Sequence, residues 1–341
     1  MNPHPSNVSL ERLSLPEILM LARSVLLAQK VPADTAQILA ERIEMAERDG
    51  PASHGLFILP SFVSGLRSHW IDGLAQPKIE IGPGAVIHVD GLNGFAQTGL
   101  DQAQSSLMNL AKRHGVALLT QRNAHHIGAL RSDVEPFAVE GLIALMCVAT
   151  RRRVVPHGGR LPFLGTNPMA FAAPVQGRPP FVWDMATSAS SVTDVRMAAE
   201  AGLPVALGTG VDEEGYPTTD AQAIIDGGAL LNFGGYKGSA ISLMVEILAA
   251  GLSGGNFAIH DRAAQVQGAA SANGGQCLIV IDPQQTSHSD MPGRLSDWFD
   301  AYVNSGAERL PGDGRLARRQ LAIKEGVLVP QSLLEQLRML T

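Results

Sequence analysis

Three stretches of the 341-residue chain are apolar at nearly every position: GVALLTQR (115–122), GLIALMCVAT (141–150) and QCLIVID (276–282). A strand with one face in water alternates apolar and polar residues, whereas a strand that is apolar throughout belongs in a sheet buried on both sides. The middle of the chain is therefore read as a sheet domain. The beginning has a different texture. Ser14, with Pro16 in the first turn and Glu17 three residues on, forms a capping box, and ILMLARSVLLAQ then repeats apolar residues at helical spacing to about Lys30. From Pro32 a second helical segment sets Ile38, Leu39, Ile43 and Met45 against a polar face of Glu41, Arg42, Glu44 and Glu47, and stops at Asp49-Gly50. PSFVSGLRSHW reads as a third helical piece, KIEIG and AVIHVDG as strands, and residues 100–114 as a helix.

Beyond Gly234, GYKGSAISLMVEILAAGLSGG reads as a long apolar helix and HDRAAQVQGAASANGG as a mobile surface loop. The tail carries helices and a basic cluster of Arg309, Arg315, Arg318 and Arg319. With 45% hydrophobic residues and both charge signs interspersed, the chain has core enough for an enzyme of about two domains. Its 26 basic against 32 acidic residues supply no cationic footprint for nucleic acid or an anionic membrane. The longest purely apolar run, around 142–149, is far short of the ~20 residues of a membrane span, and no secretory leader is evident. Cys147 and Cys277 lie in apolar strands, which predicts buried thiols rather than a disulfide framework. These readings lead to the expectation of a soluble cytoplasmic protein.

A dinucleotide fold of the common doubly wound kind needs G-x-G-x-x-G between a strand and a helix; none occurs. Walker A, C-x-x-C and H-E-x-x-H patterns are absent as well. Five less generic constellations remain. Ser53-His54-Gly55 follows the helix stop, where the histidine is either a general acid or a surface-turn residue. Asn123-Ala124-His125-His126-Ile127-Gly128 sits at the end of a strand, a ligand position or, through its paired histidines, a metal position without a third ligand at a diagnostic spacing. Gly165-Thr166-Asn167-Pro168 reads as a turn. Trp183 to Ser188 is a strand ending in Asp184 and hydroxyls, with Asp194 beyond it. Gly234-Gly235-Tyr236-Lys237-Gly238 opens the apolar helix, as an anion site or an ordinary helix start.

In the order SHG, HHIGAL, GTNPMAFAAP, DMATS and GGYKG, these motifs resemble the malate/L-lactate dehydrogenase-type family of NAD(P)H oxidoreductases, which lacks the Rossmann fingerprint. The likeness spans about residues 17–325. DVEPFAVEGLIAL, VVPHG, GGALLNFGGYKGSA and Asp194 in TDVRMAAEAG are most similar to its Δ1-piperideine-2-carboxylate/Δ1-pyrroline-2-carboxylate reductases; malate-type members carry lysine where Asp194 stands. The resemblance implies an α/β (α+β) fold: a mainly antiparallel sheet domain for the cofactor (116–288) and a helical domain from both chain ends (1–115 and 289–341), in a homodimer. It implies His54 as proton donor with a Ser53/Asp194 relay, the carboxylate raising the imidazole pKa. The cofactor, NADPH with NADH as the alternative, would be held by His126, Ile127, Gly128, Ala129, Leu130, Asp184, Met185, Ala186, Tyr236 and Lys237, with Arg309 and Arg315 at its phosphates. No metal is implied. The small-molecule substrate would be an imine, or a 2-oxo acid in the hydroxyacid-dehydrogenase alternative, touching Thr166 and positions 58, 192 and 193.

The sequence departs from that pattern at the substrate. Ile58 stands where an arginine is expected to clamp the substrate carboxylate, and Val192-Thr193 where the family has His-Gly. Ala149 replaces an asparagine and is followed by Arg151-Arg152-Arg153, and Arg131 replaces an aromatic. Either an arginine of this new set takes over the carboxylate, or the substrate is no longer a small cyclic imino acid.

Overall fold

The computed structural model describes residues 9–50 and 54–341, so Ser53 lies outside the described residues. At its centre is a seven-stranded sheet in the order β2-β3-β4-β12-β5-β7-β8. Its strands are β2 (Lys78–Ile81), β3 (Val86–Phe95), β4 (Val116–His125), β5 (Ile143–Val148), β7 (Met169–Ala173), β8 (Phe181–Met185) and β12 (Asn273–Ile281). Every neighbouring pair is antiparallel except β3 and β4. The sheet thus takes in residues 78–95, which the sequence reading grouped with the helical part; β3 aligns on β4, with Val86 opposite Leu118, and draws that segment across.

The apolar strands are buried on both faces, as their composition predicts. Met146 and Leu278 pack beneath α4 (Ala96–His114) and α5 (Arg131–Val139), with Leu107, Val134 and Phe137. Cys147, one residue on, points the other way toward Val245, Ala249 and Ala250. That second cover is α8 (Tyr236–Glu246), which runs on into a π-helical turn at Ile247–Gly251. Cys147 and Cys277 face each other across β5 and β12 as free thiols, pushed up by burial to about 12 and about 11.

The two chain ends meet in a helical layer. Residues of β1 (Leu10–Leu13) pair antiparallel with β13 (Val327–Pro330). The Ser14 capping box forms as predicted and starts α1 (Leu15–Ala28). Ile18, Val25, Leu39, Ile43, Phe62 and Leu334 share one core, bringing α1, α2 (Ala33–Asp49), α3 (Leu59–Arg67) and α12 (Gln331–Arg338) together. A smaller sheet, β10-β9-β11-β6, joins β6 (Val154–Val155), β9 (Gly210–Val211), β10 (Pro217–Thr218) and β11 (Ala229–Leu231), and packs α6 (Val192–Glu200) and α7 (Ala221–Ile225). Helices α9 (Pro283–Thr286), α10 (Met291–Asn304) and α11 (Asp313–Glu325) complete the fold. No helix of the described residues is long and apolar enough to cross a membrane.

A buried ion network joins these layers. Asp49, at the end of α2, accepts hydrogen bonds from Arg319 Nε at 2.7 Å, Arg48 Nε at 2.8 Å and Arg315 Nη1 at 3.3 Å. Glu135 of α5 accepts from Arg315 Nη1 at 3.1 Å and Arg319 Nη1 at 2.9 Å. Burial alone would raise both carboxyl pKa values, but the guanidinium contacts outweigh it and hold both below the ordinary range. The polar face assigned to α2 is not wholly solvated, since Glu47 is 6% exposed, and Asp49 at the helix stop is 1% exposed.

Removing one partner strands a buried charge, so Asp49→Asn is expected to lower stability by about 3–5 kcal/mol, read from the urea midpoint. A carboxylate with a lowered native pKa contributes fully above the ordinary Asp range, and that contribution is lost as pH falls. The variant should therefore show a weaker loss of stability between neutral pH and pH 3 than the parent chain.

Candidate active site

His54 follows the stop of α2, and two close approaches shape its turn. Gly50 has φ +61°, and a Cβ there would meet Arg318 Nε at 2.9 Å. Gly55 lies over the buried Glu47, whose carboxyl a Cβ would overlap, so a larger residue there would have to displace the Glu47 side chain. Glu47 Oε1 accepts the Leu56 N–H at 2.7 Å, which ties the segment after His54 to α2. Burial pushes the Glu47 carboxyl up to about 7, although the Leu56 N–H draws it down.

Around His54 the charges conflict. Burial lowers its pKa first, Arg131 and His126 lower it further, Asp194 raises it, and the result is about 4. Asp194 is thus brought near His54 from the first turn of α6, where its N–H caps on Ser191 Oγ at 3.0 Å. The expectation that the carboxylate keeps the imidazole charged near neutral pH is corrected: in the ligand-free protein, desolvation and Arg131 outweigh Asp194.

His126, one of the charges acting on His54, lines a cleft of about 330 Å³. Ile127, Thr166 and Val192 line it too, whereas Thr193 does not. Ile58 is 7% exposed, packs with Leu59 and Phe62 in the helical core, and is not among the residues lining this cleft. Hydrogen bonds converge three of the motifs here. The Thr187 N–H donates to the Thr166 carbonyl at 2.8 Å, and Asn232 Nδ2 and the Phe233 N–H donate to the Thr187 carbonyl, both at 3.1 Å. The GTNP turn is more than a turn, because the buried Asn167 donates from Nδ2 to Ser242 Oγ and Glu246 Oε1 and accepts from the Thr150 N–H.

The residues assigned to the cofactor divide into backbone and side-chain groups. Leu130 is in the sheet core and Ala129 is buried, so Ile127 to Leu130 offer mainly main chain. The two histidines of the paired motif part company. His126 Nε2 bonds Asp133 Oδ2 at 2.8 Å, while His125 is buried between Ser271 Oγ at 2.9 Å and Asn93 Oδ1 at 3.0 Å. Asp184 accepts the Arg131 N–H at 3.1 Å and is raised by burial; Met185 is exposed and Ala186 half-buried beside it. Tyr236 and Lys237 are exposed at the start of α8, after Gly234 and Gly235. Arg309 is exposed and lies against the first turn of α11, its Nη1 2.8 Å from where a Gly314 Cβ would stand.

These groups suit an anionic, phosphate-bearing cofactor. Buried donors without a partner among the described residues include Arg131 Nη2 and, although Arg315 is anchored through Nη1, its Nε and Nη2. A buried unpaired N–H costs free energy unless a ligand or water satisfies it. The α11 N-terminus beside Arg309 adds a further electropositive end.

Sequence reasoning gave no site role to Glu47, read only as part of a polar helix face, or to Glu246, inside an apolar helix, although they hold the Leu56 N–H and the Asn167 amide. It also missed Arg196, which lines the cleft one turn after Val192. The expected mobile loop at 260–275 is pinned instead: Arg151 bonds Asp261 at 3.2 Å and the Ala269 carbonyl at 3.2 Å, and Trp70 Nε1 donates to the Ser271 carbonyl at 2.9 Å.

A sequence profile described as Malate/L-lactate dehydrogenase matches residues 13–338. The chain is 45% identical, over 96% of its own length and 96% of the relative's, to a Delta(1)-pyrroline-2-carboxylate/Delta(1)-piperideine-2-carboxylate reductase of Pseudomonas syringae pv. tomato. A protein of the same name from Pseudomonas putida is 43% identical over 98% of both chains. The crystal structure of delta1-piperideine-2-carboxylate reductase from Pseudomonas syringae pv. tomato superposes with a TM-score of 0.95 at 45% identity, covering 97% of this chain and all of that one. With the fold, the motif order and the profile in agreement, this chain belongs to the malate/L-lactate dehydrogenase family of oxidoreductases.

Proposed function

We propose that the chain is an NADPH-dependent reductase of the C=N bond in an imino acid of the Δ1-piperideine-2-carboxylate/Δ1-pyrroline-2-carboxylate type, working as a cytoplasmic homodimer. The observation that carries this reading is that His126 and Asp194, 68 positions apart in the chain, both act electrostatically on His54, and that His126 also lines a cleft with Thr166 and Val192. The names of the relatives support the same chemistry. Leu243 and Ile247, one turn apart and exposed, offer an apolar face for a second copy.

The nicotinamide, when bound, supplies hydride to the imine carbon. His54 supplies the proton to nitrogen, so that C=N becomes CH–NH, and Asp194 steadies the imidazolium. Ser53 joins the relay on the strength of the family resemblance. Because His54 is neutral in the ligand-free protein, its proton must be acquired in the complex. Anionic ligands that offset Arg131 do this by removing the larger repulsion, leaving Asp194 to raise the pKa. Arg131 is then a positioning charge that couples ligand binding to protonation.

The direct test is NADPH oxidation with Δ1-piperideine-2-carboxylate, Δ1-pyrroline-2-carboxylate and 2-oxo acids. Turnover of an imine is expected, and His54→Ala should lower kcat by about 10²–10⁴-fold with NADPH affinity retained. Turnover of 2-oxo acids alone would favour the hydroxyacid-dehydrogenase alternative.

A second expectation concerns pH. A donor acts only while protonated, so kcat/KM should fall as pH rises through the His54 pKa of the cofactor-bound enzyme. Arg131→Gln removes a charge that lowers this pKa, so the alkaline limb should move to higher pH; an unmoved limb would count against the coupling.

A further inference from the structure

Three arginines, Arg151, Arg153 and Arg196, line the cleft, and no Asp or Glu of the described residues does. They are not equivalent. Arg151 is neutralised by Asp261 and turned toward the 260–275 segment. Arg153 and Arg196 make no ion pair with a carboxylate of the described residues. The Arg153 backbone is locked, its N–H donating to the Leu164 carbonyl and its carbonyl accepting from Leu230, each at 2.9 Å, so its half-buried side chain is delivered to the cleft from a fixed point. Arg196 reaches the same cleft from α6, on the face that carries Val192. Burial and repulsion by Arg151 and Arg196 both work against the Arg153 charge, which only Asp261 supports. Two cations without partners in an acid-free cleft create a standing demand for an anion.

That demand answers the departure at position 58. Ile58 is buried among apolar residues of the helical core and offers no cation at that position. Thr166 and Val192 line the same cleft as the arginine pair, which places the pair beside the residues assigned to substrate.

Resting on the reductase reading, we propose that Arg153 and Arg196 form the carboxylate subsite of this chain, so that an imino acid is held by its acid group from the β6 and α6 side rather than from position 58. Guanidinium groups suit this task because their planar donors can engage both carboxylate oxygens. Neutral imines, lacking the acid group, are then poor substrates.

The test uses Arg196→Ala, a change at an exposed helix position that leaves the fold in place, together with Arg153→Gln and Arg153→Lys. Two readouts are taken: KM and kcat for Δ1-piperideine-2-carboxylate, and calorimetric affinity for pyridine-2-carboxylate, a planar acid with nitrogen beside its carboxylate, with pyridine as the acid-free control. Loss of a charge-assisted contact predicts a KM rise and an affinity loss of about tenfold to a hundredfold in Arg196→Ala and Arg153→Gln, partial recovery in Arg153→Lys, and unchanged NADPH affinity. Unchanged KM and unchanged pyridine-2-carboxylate affinity in both charge-removing variants would overturn the subsite while leaving the reductase reading intact. Arginine-dependent binding of pyridine-2-carboxylate by a protein that reduces no imine would uphold the subsite and overturn the reductase reading.

Discussion

The buried network of Asp49 and Glu135 with Arg315 and Arg319 holds the architecture to its chemistry. It joins α2, which leads into the His54 turn, to α5, which begins at Arg131, and to α11, whose first turn lies against Arg309. Three elements far apart in the chain are thereby fixed around one point. The network also holds more guanidinium than carboxylate, since Arg48 and Arg318 bond Asp49 as well. Buried pairs of this kind contribute little net stability compared with apolar packing. Their consequence here is positional, and the excess positive charge leaves Nε and Nη2 of Arg315 without a partner among the described residues.

Electrostatics then governs the site. His54 feels Arg131 and His126 on one side and Asp194 on the other, within a buried setting that disfavours its charged form. In the proposed reaction, anionic ligands shift this balance, and the proton donor becomes competent only when there is something to protonate. In this view the arginine expected at position 58 and the cations found at Arg131, Arg153 and Arg196 are linked: position 58 is apolar, and Arg153 and Arg196 supply positive charge to the cleft.

Much of the fold was readable because it rests on local signals. Ser14, Pro16 and Glu17 announce a helix start, and runs such as LIALMCV announce a buried strand without reference to distant residues. The start of α4 at Ala96, earlier than expected, has no side-chain cap to mark it. The reach of the sheet back to residues 78–95 depends on a parallel pairing with β4 that no local pattern encodes. The burial of Glu47 and Asp49 went unread for the same reason. A polar helix face looks solvated until Leu56, Arg315 and Arg319 arrive from elsewhere to bury it. His125 and His126, adjacent in sequence, could not be told apart by spacing; their different partners separate a core histidine from one lining the cleft.

The measurement that bears most directly on this account is an NMR titration of the His54 imidazole, assigned by comparison with His54→Ala, in the free protein and with NADPH and pyridine-2-carboxylate bound. The account predicts a midpoint near the value of about 4 set by burial and Arg131 in the free protein, and a clear rise when both anions are present. A free-protein midpoint close to the ordinary histidine value of about 6.5, unmoved by either ligand, would contradict it.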